Sequence, residues 1–410
     1  MLRPASLLLA LAALLALPAC HVGRFFIYNF ADLRDNRKFP ARPIARAPGP
    51  FQFHAARPGQ TIAMPREVTI KGTKYDFEGL LKHTGTVALL VIRHDTLVYE
   101  QYREGYAVAS EVPSFSAAKS FVSALVGVAI EEKYIGSVDD PIRKYLPELD
   151  AKQFDPITLR HLLQMRSGIA YNESYFNPFG DVAKYYYGRN QPKYIRKLKI
   201  KEAPDQRFEY ISICPQLLGM AVARATGRPL AQYLQEKIWQ PLGMEYDASW
   251  SLDSKKHNTE KAFCCLNARA RDFAKFGRLY LRHGDWQGRP VVPRAWVDAS
   301  VYDLAQQAPN GYLYSYQWWH NRRLEAHADT TRHGEFRVLP SGEINFAKGS
   351  HPPAKITARP AGDFFAQGLL GQYIYVNPKN DFILVRLGRN DKFNWAQLAL
   401  ALAERKRVKI

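Results

Sequence analysis

Residues 116–130 read Ser116-Ala117-Ala118-Lys119-Ser120-Phe121-Val122-Ser123-Ala124-Leu125-Val126-Gly127-Val128-Ala129-Ile130, and the rest of the chain is best read outward from them. From Phe121 to Ile130 the stretch is apolar on nearly every face, the pattern of a helix buried in a core. Ser116 and Lys119 stand at its head three residues apart, hence on one helical face. A serine hydroxyl at its ordinary pKa is a poor nucleophile and needs a base beside it. A lysine one turn on is such a base if burial and the positive end of the helix disfavour its charged form. Taken alone, the tetrad is equally the pattern of a capping serine and a solvated lysine. Its surroundings separate the two readings.

Near the N-terminus, Arg3 precedes an apolar run from Leu7 to Leu17. The run is too short to span a bilayer and has the form of a secretory signal. It ends in Leu17-Pro18-Ala19-Cys20, which resembles a bacterial lipobox. Residues 1–20 are therefore expected to be a lipoprotein signal peptide with Cys20 as the lipidated residue. The alternative is an ordinary signal cleaved near Ala19. No later stretch is long and apolar enough for a transmembrane helix, so the expected location is the bacterial cell envelope, periplasmic side, with acyl chains as the membrane anchor.

Hydrophobic residues make up 47% and aromatic residues 13% of the 410, ample for one large domain or two closely joined ones. The formal net charge of +19 is a conventional sign of nucleic-acid binding. The secreted address sets that partner aside and favours anionic envelope polymers or lipid headgroups. Beyond the lipobox, Cys214, Cys264 and Cys265 allow one disulfide that sequence does not assign; the adjacent pair reads as buried packing. No Cys/His spacing reads as a metal site, and no cofactor is expected. The aromatic and basic stretch from Tyr185 to Lys199 reads as a solvated helix face or loop bordering a cleft.

There is no internal repeat. Residues 21–80 are rich in Pro, Arg and Phe with little periodicity, and read as a tether and an extended N-terminal arm wrapped on the body. Residues 85–102 read as a hairpin turning at Arg93-His94-Asp95-Thr96. The helix headed by Ser116 is expected to stop near Gly136. Further helices are expected over 142–146, 158–165, 215–226 and 269–282. Strands return over 312–319, 364–376 and 382–387, before a last helix over 394–405. This order predicts an α/β (α+β) fold for 81–410: an antiparallel sheet from 81–115 and 310–410, flanked by helices, with a helical insertion of about 135–305.

In that order the chain resembles the serine β-lactamase and penicillin-binding-protein superfamily, on its class C and D-alanyl-D-alanine carboxypeptidase side, with the 6-aminohexanoate-dimer hydrolase branch the most similar. The resemblance covers about residues 80–400. It rests on the Ser116–Phe121 segment, Val138-Asp139-Asp140-Pro141, His161–Gly168, Leu217-Leu218-Gly219 through Met244, Ala270–Leu279 and Gly368–Gln372. It implies a β-lactamase/transpeptidase-like fold. It also carries the superfamily's second motif, Tyr-x-Asn, onto Tyr210-Ile211-Ser212, with Ser212 in place of the usual asparagine. A phenol beside a lysine ammonium loses its proton more readily and can shuttle it from Ser116 to a leaving group.

The third motif, Lys-Thr-Gly or His-x-Gly on an edge strand, falls on Ala366-Gln367-Gly368. The glycine is kept and the cation that meets a substrate carboxylate is gone, which puts penicillins and D-Ala-D-Ala in doubt. By the same analogy the backbone amides of Ser116 and Leu369 form the oxyanion hole. Tyr171 matches a tyrosine that contacts substrate in the branch, and Ser212 and Gly368 are further candidate substrate-binding residues. Asn267 is a weaker candidate for the cleft, and Arg271-Asp272 reads as a structural capping pair. No glutamate can be assigned to activate water, so deacylation falls to Tyr210 with Lys119.

The resulting expectation is a lipid-anchored serine hydrolase acting on a small-molecule or short-peptide-like amide or ester, with Ser116, Lys119 and Tyr210 catalytic. A β-lactamase or carboxypeptidase is one alternative, and a non-catalytic envelope-binding lipoprotein is an alternative of another class. Oligomeric state is left open.

Overall fold

The computed structural model describes residues 21–28, 30–70, 73–303, 314–327, 336–338, 344–346, 355–390 and 393–404. The signal peptide and Cys20 lie outside the described residues. Eight strands form the central sheet: His54–Ala55 (β1), Thr86–Arg93 (β2), Thr96–Tyr102 (β3), Tyr314–Ser315 (β4), Trp318–His327 (β5), Lys355–Gly368 (β6), Gln372–Asn377 (β7) and Phe382–Gly388 (β8). Their order is β4-β5-β6-β7-β8-β2-β3-β1. Every pairing is antiparallel except that of β1 with β3. The sheet is thus assembled from both ends of the chain, with the helix-rich stretch between them.

The central strands β2, β7 and β8 are mostly apolar on both sides because both faces of the sheet are covered. Side chains alternate between faces along a strand. In β2, Leu90 and Ile92 enter one core while Leu89 and Val91 enter another, and β8 divides Ile383 and Val385 from Phe382 and Leu384 in the same way. The helices that bear on the site and the cores include His21–Tyr28 (α1), Ala118–Glu131 (α2), Asp181–Tyr187 (α3), Ile213–Thr226 (α4), Ala270–Leu281 (α5) and Trp395–Ala403 (α6). The larger core gathers α2, α4 and α5. The smaller one lies under α6 and the short helix Phe77–His83.

Three expectations change in detail. Residues 21–80 carry more regular structure than a tether and arm: α1 packs on α3, Ala41–Ile44 pairs with Ala248–Ser251, and β1 extends the sheet edge. The expected strand over 364–376 is two strands broken at Leu369–Gly371, where Leu370 takes a left-handed φ of 64°. The Ser116 helix ends at Glu131, before Gly136. The hairpin turn falls where expected, with His94 and Asp95 at φ 49° and 57°, the conformation a two-residue turn between twisted strands requires.

Candidate active site

A small sheet sets the entry to α2. Val112–Pro113 pairs with Leu266–Ala268, and the Ser114 N–H donates to the carbonyl of Leu266 (2.8 Å). Phe115 then adopts a φ of 44°, a conformation that costs of order 1–3 kcal/mol in a residue with a side chain. This turn swings Ser116 to the half-exposed head of the helix, while Lys119, in its first turn, is 1% exposed.

The Lys119 Nζ has three oxygen neighbours: Ser116 Oγ at 2.7 Å, Phe263 O at 2.8 Å and Ser212 Oγ at 3.3 Å. Ser212 in turn gives both its donors to Glu173, the N–H to Oε2 (2.7 Å) and the hydroxyl to Oε1 (2.6 Å). Tyr175 OH also donates to Oε1 (2.8 Å). Burial disfavours the Lys119 ammonium and brings its pKa down to about 8, against the opposing pull of the Glu173 charge. A carbonyl can only accept, and the Ser212 proton is committed to Glu173. Of the three neighbours, only Ser116 has a proton to give Lys119.

Tyr210 lies in the turn before α4, and the Lys119 Nζ stands over its ring, 5.2 Å from the centroid. Burial raises the pKa of the phenol, against the opposing influence of the neighbouring Ser116 hydroxyl and assisted by the Glu173 charge. The expected easing of proton loss by Lys119 is offset: desolvation of the buried phenol dominates and favours its protonated form. Tyr210 therefore rests protonated.

Across from Ser116, β6 ends at Gly368, whose φ of −123° any residue can adopt. Glycine is required there for space: a Cβ would sit 2.2 Å from Ser114 O and 3.1 Å from Ser116 N. The next residue, Leu369, lines the cleft with Ser116, so the two backbone segments named for the oxyanion hole do adjoin. Arg386, buried in β8, ties down the turn by donating to Leu370 O (2.7 Å), Gly371 O (2.6 Å) and Thr84 O (2.6 Å).

The cleft over Ser116 has a volume of about 770 Å³ including its open mouth. Ser212 lines it. Tyr171 does not: its ring is buried against Tyr185, centroids 5.7 Å apart, and Tyr175 and Phe176 form that wall instead. The loop turns inward at Tyr171 and reaches the cleft only four residues later. Asn267 is also buried away from it, donating to Ser249 and Ser251 (3.1 and 3.2 Å). Asp272 accepts from the Glu245 N–H (2.7 Å) and Arg271 donates to Glu100 (2.7 Å), so that pair is structural. Ala366 is buried in the core. Cys264 and Cys265 are disulfide-bonded to each other, and Cys214 is a buried thiol.

Sequence reasoning missed Glu173, Tyr175 and the cleft wall given by Phe30. Tyr171, two residues before Glu173, was the only signal near it, and no periodicity in that loop tells inward from outward. For Phe30 there was no signal at all.

A family model described as beta-lactamase matches residues 76–407. Over 335 residues the chain is 24% identical to the 6-aminohexanoate-dimer hydrolase of Paenarthrobacter ureafaciens, covering 76% of this chain and 74% of that one. Among solved structures, a Bacillus anthracis protein described as a 6-aminohexanoate-dimer hydrolase superposes with a TM-score of 0.67 at 21% identity, over 90% of this chain and 91% of the other. A class C beta-lactamase gives 0.55 at 14% identity, over 80% and 93%. The architecture is that of the β-lactamase/transpeptidase-like fold.

Proposed function

The chain belongs to the beta-lactamase family, and from that premise we propose that it cleaves an amide or ester bond through a covalent acyl-enzyme on Ser116. It is a β-lactamase-related serine hydrolase, similar to 6-aminohexanoate-dimer hydrolase. One observation carries the mechanistic reading: of the hydrogen-bond partners of Lys119 among the described residues, only Ser116, at 2.7 Å, is free to give it a proton. As a free amine, Lys119 spends its two N–H groups on Phe263 O and Ser212 Oγ, and its lone pair is left for the serine hydroxyl.

In this reading Ser116 attacks the carbonyl as Lys119 takes its proton. The amides of Ser116 and Leu369 hold the oxyanion. Tyr210, resting protonated, gives its proton to the leaving group and recovers one from Lys119. Water then attacks the ester, its proton returning by the same pair, and Ser116 is released. Glu173 acts through Ser212 as a positioning residue: it takes the Ser212 proton and so turns the Lys119 lone pair onto Ser116. The non-catalytic alternative lacks support, since the relatives are hydrolases. A β-lactamase or carboxypeptidase is disfavoured by the buried Ala366 and by a cleft whose lining, among the described residues, carries no positive charge.

A fluorophosphonate followed by mass spectrometry of the digest tests the assignment. One adduct is expected, on the peptide containing Ser116, and none in Ser116→Ala. An adduct on another serine would overturn it. The variant should fold, because one hydroxyl at a helix end contributes at most about 1–2 kcal/mol.

A further inference from the structure

The outer wall of the cleft is shared by two segments far apart in sequence. Phe30 meets Phe176, which stands in the loop before α3, with ring centroids 5.6 Å apart. The two are 50% and 77% exposed, and both line the cleft. Phe30 is held there by α1, which is fastened to α3: Phe25 packs edge-on to Tyr187 (5.5 Å), and Arg24 Nε donates to Tyr187 O (2.5 Å). Val182 and Leu370 continue an apolar surface, and among the described residues no lining residue is charged. The nearby carboxylate of Glu173 is occupied by Ser212 and Tyr175. Away from Lys119, which is buried beneath Ser116, a charged group entering here would lose its hydration and find no counter-charge among the described lining residues. Large exposed phenylalanines around an apolar hollow mark a surface that binds something.

We infer that the substrate carries an uncharged apolar chain or ring beside the scissile carbonyl, and that Phe30 and Phe176 set this specificity by closing over it. The inference rests on the acyl-enzyme reading above. The apolar group belongs to the acyl half or to the leaving half of the substrate, and two ester series tell these apart. In one, p-nitrophenyl esters run from acetate to octanoate; in the other, acetates run from ethyl to octyl.

In one of the two series kcat/KM is expected to rise roughly threefold to fourfold for each methylene that becomes buried. Phe30→Ser and Phe176→Ser should flatten that slope, mainly through KM, and Phe176→Leu should keep most of it. An amino or carboxylate group at the far end of the favoured chain should lower kcat/KM by roughly tenfold or more. Flat or falling profiles in both series, or a slope preserved in both serine variants, would overturn the inference. If that happens while the fluorophosphonate adduct on Ser116 persists, only the pocket has been misread. If the adduct itself is missing from Ser116, the acyl-enzyme reading falls and takes this inference with it.

Discussion

Lys119 lives among oxygens that mostly cannot give it a proton, and this makes its own proton loss the step to watch. The base works only when neutral, and burial places its pKa at about 8. Acylation of Ser116 should therefore be slow at pH 6, rise with pH, and level off above about 8. Stopped-flow acylation by a p-nitrophenyl ester would show it, and a profile flat from pH 6 to 9 would contradict the assignment. The negative charge of Glu173 favours the ammonium, opposing burial, so Glu173→Gln should move the rising limb to lower pH. The glutamine carbonyl can still accept from Ser212, so the plateau should fall little. Ser212→Ala removes the group between them and should slow acylation roughly tenfold, as the loss of one charge-assisted hydrogen bond of about 1.5 kcal/mol implies. Ser116 and Lys119 were legible because their spacing is a local property of one helix. Glu173 was not, because it meets Ser212 across 39 residues, and nothing in the chemistry of a lone glutamate announces such a partner.

The elements around the site meet at closer quarters than side chains allow. The end of β6 touches the turn from Ser114 to Ser116 through Gly368, with no room for a methyl group. Gly368→Ala should push the strand end outward and move Leu369 N–H away from the oxyanion. A drop of roughly 10²–10³ in kcat is expected, the usual cost of one lost oxyanion donor, with a destabilisation of about 1–3 kcal/mol from overpacking. Steady-state kinetics and a denaturant titration would separate the two effects; unchanged kcat would mean that Leu369 holds no oxyanion. Most elements could be read from periodicity, because an apolar helix and a two-sided buried strand leave strong patterns. The break at Leu369–Gly371 could not. It depends on Leu370 accepting a left-handed φ while Arg386 holds the adjoining carbonyls, and the apolar run gives no hint of either.

At the scale of the whole molecule, the segment from 21 to 55 joins the body along its length, among other places through α1 on α3, Ala41–Ile44 on Ala248–Ser251, and β1 on β3. We propose that a lipid on Cys20 anchors this body to the membrane of the cell envelope. Cys20→Ala should then move the protein from the membrane fraction to the soluble fraction or leave it uncleaved, since acyl chains would be its main hydrophobic attachment; unchanged membrane fractionation of a correctly processed variant would disprove the anchor. The lack of a charged side chain among the described residues lining the cleft makes a second prediction. A contact between a cation and a substrate carboxylate is worth about 1.5–3 kcal/mol. Without one, neutral p-nitrophenyl esters should exceed benzylpenicillin in kcat/KM by roughly one to two decades, and rapid penicillin hydrolysis would refute this. The sequence by itself determined the class of the fold and the pair at the head of α2, because hydrophobic period and helical spacing are written in neighbouring residues. Only the tertiary structure decided which glutamate stands behind Lys119, that burial favours the protonated form of Tyr210, that Tyr171 turns away from the cleft, and that Phe30 forms its wall. Those outcomes depend on desolvation and on contacts between segments distant along the chain, which exist only once the core has closed around them.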